Sequence, residues 1–188
     1  VLPNAKSHWF SPGQTATLKT LPELAEVPCL VLLGDPGTGK SNEIAAEAAR
    51  LGAAPAEGFV IKRLDLKLRT ESLIEKQVFR SEEFIGWTEG RHALALFFDS
   101  MDECWRRVPE LGPVIIAELE LHLKKKLPPF YLRLGCRAAE WREEIEGDLR
   151  RLFGETKEGE KVQVWELAPL AEKNVSVAAK ACGLEGGF

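Results

Sequence analysis

The chain has 188 residues, 45% of them apolar and 29% charged, with a formal net charge of −4. That composition suits one folded domain with a real core, and the acidic balance argues against a broad nucleic-acid footprint. No apolar run approaches the ~20 residues needed to cross a bilayer, and the N-terminus lacks the basic start and apolar stretch of a secretory leader.

Residues 1–27 are mixed in composition, with Pro3, Pro12, Gly13 and Pro22, and read as a lead-in segment with a short helix. Cys29-Leu-Val-Leu-Leu33 is an apolar run too short for a helix, bounded by Pro28 and Gly34, and predicts a buried strand. Directly after it stands Gly34-Asp35-Pro36-Gly37-Thr38-Gly39-Lys40-Ser41, a full match to G-x-x-x-x-G-K-[ST]. An alanine-rich stretch over 40–51 predicts a helix closed by Gly52. Strand, loop and helix are thus in the order that a phosphate-binding loop requires. The glycines let the backbone wrap an anion, and backbone N–H groups and the positive helix end face it. Lys40 adds a point charge for β- and γ-phosphates, Ser41 offers a hydroxyl to Mg²⁺, and Asn42 borders the nucleotide site.

Residues 59–66 predict a second strand. Ser72 and Glu75 have the spacing of a capping box for a short helix to about 79, and another helix is expected after Ser81. Residues 86–90 read as a loop. A third strand over 93–99 is apolar until it ends in Asp99, followed by Ser100-Met101-Asp102-Glu103. A carboxylate at that strand end points into the crevice where open α/β sheets bind ligands. Asp99 is the expected Mg²⁺ partner, Glu103 the expected water-positioning group, and Asp102 its helper or alternate. Three carboxylates so close in sequence repel one another unless a cation is near.

Further on, a helix is expected over 113–126, a fourth strand over 130–136 and a charged helix over 139–153 stopped by Gly154. A fifth strand over 161–167 and a last helix over 171–182 complete the pattern. Strands alternating with helices, the central ones apolar on both faces, predict an α/β fold with a parallel sheet covered on both sides. The scattered Trp87, Trp105, Trp141 and Trp165 read as packing residues. Lys124-Lys125-Lys126 reads as a solvated helix end, and residues 140–146 as a wet helix face. Cys29 and Cys136 lie inside apolar runs and read as buried, reduced thiols in keeping with a cytoplasmic protein. The cysteines and histidines show no zinc spacing. The chain starts at Val1 and its one methionine is Met101, so it reads as a piece of a longer multidomain chain or as a trimmed one.

The pairing of GDPGTGKS with LALFFDSMDE resembles the NACHT-type branch of the STAND class of P-loop NTPases. In that branch a small residue follows the strand-end Asp, here Ser100, and further acids follow, here Asp102 and Glu103. Leu132-Arg-Leu-Gly-Cys-Arg137 resembles the family's fourth-strand segment, which would make Arg137 a sensor of the γ-phosphate. An alternative partner for Arg137 is a carboxylate such as Glu140. Trp165-Glu-Leu-Ala-Pro169-Leu resembles the segment leading to a helical lid, with Pro169 against the base and residues 171–188 beginning the lid. The resemblance implies a three-layer core over 28–170 with five parallel strands in the order 5-1-4-3-2. The fourth strand would then lie between the loop strand and the Asp99 strand.

The resemblance implies slow hydrolysis of ATP with Mg²⁺, the bound ATP or ADP controlling assembly of a longer chain or a homo-oligomer. Bacterial relatives of this kind serve in signalling and antiviral defence. Catalysis would fall to Glu103, Asp102, Lys40 and Arg137. A nucleotide-binding switch without turnover is the first alternative. A remodelling ATPase of the AAA+ kind is the second, and it would need an arginine finger and a ring interface for which the sequence offers no clear candidate.

Overall fold

The computed structural model describes residues 9–10, 18–53, 58–67, 69–156 and 159–168. Its main sheet is built around five parallel strands: β3 (Cys29–Leu33), β4 (Phe59–Asp65), β5 (Ala93–Asp99), β6 (Phe130–Cys136) and β9 (Val162–Leu167). They lie in the order β9-β3-β6-β5-β4. Two short strands, β1 (Trp9–Phe10) and β2 (Leu18–Lys19), extend the sheet antiparallel beyond β9. The sheet therefore has seven strands where the sequence predicted five. Strands of two residues carry no alternation to read, so their pairing is set by the neighbour rather than by local pattern. A separate hairpin joins β7 (Glu155–Thr156) to β8 (Gly159–Glu160).

Alternate residues of each central strand feed two cores. Cys29, Val31 and Leu33, with Leu94, Leu96 and Phe98, pack against helices α2 (Glu71–Ile74), α3 (Glu82–Thr88), α5 (Leu111–Leu123) and α6 (Glu143–Phe153). Leu30, Leu32, Ala95 and Phe97 pack against α1 (Lys40–Gly52) and a 3-10 turn at Leu21–Leu24 on the other face. Burial on both faces explains why β3 and β5 are apolar at every position until Asp99. Strand β4 is at the sheet edge and only half-buried, and it carries Lys62 and Arg63. Charges on an edge strand oppose pairing with another chain.

The largest polar group in the core is Arg133 on β6, 1% exposed. Its guanidinium donates to the carbonyls of Ala25, Val27 and Leu132, and lies over the Tyr131 ring. Burial pulls it down to about 10, with Glu47 opposing, so it stays charged at neutral pH. These bonds satisfy carbonyls in the stretch that delivers the chain into β3, and so fix where the strand before the glycine loop begins.

Several boundaries differ from the sequence reading. The N-cap of α2 is Thr70 rather than Ser72, and the helix runs on into a π turn at Glu75–Phe79. Gly86 is inside α3, not in a loop. A Cβ there would lie 2.3 Å from His92 Cε1, so the glycine serves close packing rather than a turn. Helix α5 starts at Leu111 and ends at Leu123, ahead of the lysines. The helix expected over 139–153 is divided into a 3-10 turn at Ala138–Glu140 and α6, because Trp141 and Arg142 adopt extended backbone. Trp141 packs on Trp105 and donates its indole N–H to Glu146. The helix expected over 171–182, the lid segment 171–188 and Pro169 lie outside the described residues.

Candidate functional site

The five parallel strands bring their C-terminal ends to one rim. Leu33 pairs with Cys136 and with Glu166, and Phe98 pairs with Leu134, which sets Asp99 level with Gly135. The loop 34–39 leaves β3 at this rim and returns as α1. Gly37 and Gly39 have φ of 81° and 95°, values that side chains with a Cβ adopt only under strain. Gly34 N–H donates to the Cys136 carbonyl at 3.2 Å, which ties the loop's first residue to β6. Thr38 donates its backbone N–H and its hydroxyl to the Asp35 carbonyl. These bonds close a turn over residues 35–38 and tie the loop's start to β6. Asp35, Pro36 and Gly37 are exposed, and Ser41 and Asn42 are exposed on the first turn of α1. In that turn the Asn42 and Glu43 N–H groups donate to the Gly39 carbonyl at 2.9 and 3.1 Å, and the first N–H groups of a helix are in general the ones that anions approach.

Lys40 Nζ lies 4.0 Å from Asp99 Oδ1, and the Asp99 side chain is 2% exposed. Lys40 opens the helix that follows β3 and Asp99 ends β5, and β6 runs between those two strands. Gly135 lets the two side chains meet. A Cβ on Gly135 would lie 2.7 Å from Asp99 Oδ1 and 2.5 Å from Ile44 Cδ1. The sequence reading passed over Gly135, although a glycine inside an apolar strand is the usual mark of a close approach. Gly135→Ala is expected to push the Asp99 carboxylate aside and to cost about 1–3 kcal/mol of stability. The melting temperature should fall accordingly. An unchanged melting temperature would show that the Asp99 carboxylate does not depend on this gap.

Ser100, next in sequence, has φ of 62°, the one positive φ outside glycine among the described residues. It turns the chain from β5 into α4 (Met101–Trp105), and its N–H donates to Asp99 Oδ1. That turn brings Asp102 and Glu103 to the rim. Asp102 is 2% exposed, and its Oδ1 accepts the backbone N–H of Arg137 at 3.3 Å. Asp102 Oδ2 lies 2.9 Å from Arg137 Nε, off the N–H line, so the contact is ionic without an aligned hydrogen bond. Glu103 Oε1 accepts from Arg137 at 3.4 Å, and its Oε2 is 3.8 Å from Lys67 Nζ. Glu140, the alternative partner for Arg137, pairs instead with Arg106 at 2.8 Å.

The rim therefore holds two groupings. Lys40 and Asp99 form one; Asp102, Glu103, Arg137 and Lys67 form the other. Lys67 was not foreseen, because its reach to Glu103 depends on the turn after β4. That turn is braced by Asp65, which accepts the Lys67 N–H, by Asp99, whose carbonyl accepts the Leu66 N–H, and by a guanidinium bond from Arg107 to the Lys67 carbonyl. Beneath the rim, Cys29 and Cys136 are buried free thiols, as is Cys104. Burial pushes the Cys29 and Cys136 thiols up to about 12, which keeps them protonated and inert.

No cluster of three or more His, Cys, Asp or Glu side chains forms a metal cage among the described residues. Mg²⁺ beside a phosphate does not require one, since it takes one or two protein oxygens together with phosphate oxygens and water. The buried Asp99 carboxylate, with Lys40 at 4.0 Å and the Ser100 N–H on its Oδ1, and the exposed Ser41 fit that donor set. A depression of about 220 Å³ elsewhere, between α3 and α5, is lined by Phe79, Phe84, Ile85 and His122 and includes none of these residues. No helix among the described residues is long and apolar enough to cross a membrane. No family model and no curated protein matches the chain.

Proposed function

We propose that this chain is the nucleotide-binding core of a regulatory P-loop ATPase of the NACHT type, working in the cytoplasm as part of a longer signalling protein. The observation that carries the reading is the meeting of Lys40 and Asp99 across Gly135, below a glycine loop that opens a helix. A triphosphate on that loop takes its charge compensation from backbone N–H groups, the α1 N-terminus and Lys40. Ser41 and Asp99 would hold Mg²⁺, which supplies further compensation for the phosphate charge. Glu103 has the half-buried position of a group that orients an attacking water. Numbered in chain order from β3, the parallel strands lie 5-1-4-3-2, and this supports the assignment.

A switch without turnover is the second reading. It draws on the engagement of Glu103 by Arg137 and Lys67, which occupies the group that hydrolysis needs. Both readings require nucleotide. The test is to denature the purified chain, identify any nucleotide released, and titrate the emptied, refolded protein with Mg-ATP and Mg-ADP. Adenine nucleotide in either experiment supports the proposal. A protein that releases none and binds neither overturns it, and release of GDP overturns the family assignment.

A further inference from the structure

Two acids from the turn after β5 engage Arg137. Its Nε faces Asp102 at 2.9 Å, and its terminal nitrogen faces Glu103 at 3.4 Å. Asp102 is 2% exposed and the Arg137 side chain 31%, so the pair is shielded from solvent more than a surface pair and less than a core pair. The root of the Arg137 side chain is also fixed. Its backbone N–H is bound by Asp102, and the preceding carbonyl, of Cys136, accepts from Gly34. Arg137 is therefore anchored beside the first residue of the phosphate loop, with its charged end turned to the acids.

Resting on the reading of the site as a nucleotide pocket, we infer that Asp102 and Glu103 form a latch on Arg137 that sets the discrimination between triphosphate and diphosphate. A diphosphate fills the loop and leaves the latch closed. A triphosphate recruits the guanidinium to its terminal phosphate only by opening the latch. Part of its binding free energy is spent on that exchange, so the latch lowers the affinity for ATP relative to ADP. Two features keep the exchange within reach. The Asp102 Oδ2 contact has no aligned hydrogen bond to lose. Glu103 keeps Lys67 as a cation when Arg137 leaves, so its carboxylate is not stranded.

The test compares Mg-bound ADP with a non-hydrolysable ATP analogue by calorimetry, which needs no turnover. Asp102→Asn keeps the shape and the Oδ1 acceptor but removes the charge. It is expected to raise the ratio of analogue to ADP affinity about tenfold. Glu103→Gln, at a more accessible position, is expected to act in the same direction more weakly, and it serves where Asp102→Asn does not fold. Removing a negative charge near phosphate could favour the triphosphate without any latch. The same substitutions are therefore made with Arg137→Gln, where the latch has nothing to hold and the gain should vanish. A gain that persists in the Arg137→Gln background, or a ratio unmoved by both single substitutions, overturns the latch while leaving nucleotide binding intact. Loss of binding to both nucleotides in the unmutated chain overturns the pocket reading and the latch together.

Discussion

Replacing Lys40 with alanine is expected to weaken Mg-ATP binding about a hundredfold. In the proposed nucleotide site Lys40 supplies the β- and γ-phosphates with a point charge that backbone N–H groups cannot replace, because they carry only partial charges. The loss should be larger for ATP than for AMP, which reaches less far along the loop. The substitution also removes the cation at 4.0 Å from the buried Asp99 carboxylate. Leaving that carboxylate unpaired costs stability, though less than breaking a tight buried pair, since the contact is long. The two effects separate by experiment. Lys40→Ala combined with Asp99→Asn should recover thermal stability without recovering affinity. If affinity returns together with stability, Lys40 serves the fold rather than the phosphate. If Lys40→Ala binds Mg-ATP as the unmutated chain does, the glycine loop is not the phosphate site.

The parts of this arrangement that were legible in the sequence share a physical cause. Strands β3 and β5 are covered on both faces, so burial forces an uninterrupted apolar run that stands out from its surroundings. The glycine loop was legible because anion wrapping demands glycine at fixed steps, and Gly37 and Gly39 do take the positive φ that only glycine adopts without strain. Asp99 stood out as a lone acid ending an apolar strand. What escaped notice depends on residues far apart in sequence. Gly135 looks like any strand glycine until β6 is seen to separate Lys40 from Asp99. Gly86 carries the signal of a loop, yet it lies in a helix because His92 packs where its side chain would be. Arg133 reads as a charge on a strand, whereas its hydrogen bonds to the 25–27 carbonyls make it a buried anchor. The partner of Arg137 was likewise undetermined by spacing. Glu140 is three residues away, but the 3-10 turn carries it to Arg106, and the turn at Ser100 brings Asp102 and Glu103 instead.

The second large effect is expected at Glu103. Exchange for glutamine keeps the volume and one carbonyl oxygen, so the fold and the affinity for ADP should persist, and the triphosphate should bind no more weakly than before. Turnover should fall by about two to three orders of magnitude, because an amide cannot take the proton of an attacking water or orient it through a charged acceptor. Glu103 suits that role better than its neighbour for a structural reason. Asp102 is 2% exposed and is bound to the Arg137 backbone, so its position is that of a support. Glu103 is 27% exposed, with its two oxygens facing different cations, and it can reach a water at the rim. Asp102→Asn should accordingly lower turnover less than Glu103→Gln does. Single-turnover hydrolysis with Mg-ATP in excess over the dissociation constant separates the outcomes, since it removes binding from the comparison. Turnover lost at Glu103 with binding kept identifies a hydrolase whose carboxylate is released from Arg137 when triphosphate binds. An unmutated chain that binds Mg-ATP but turns over no faster than its Glu103→Gln variant is instead a switch, in which Arg137 and Lys67 keep the carboxylate occupied through the whole cycle.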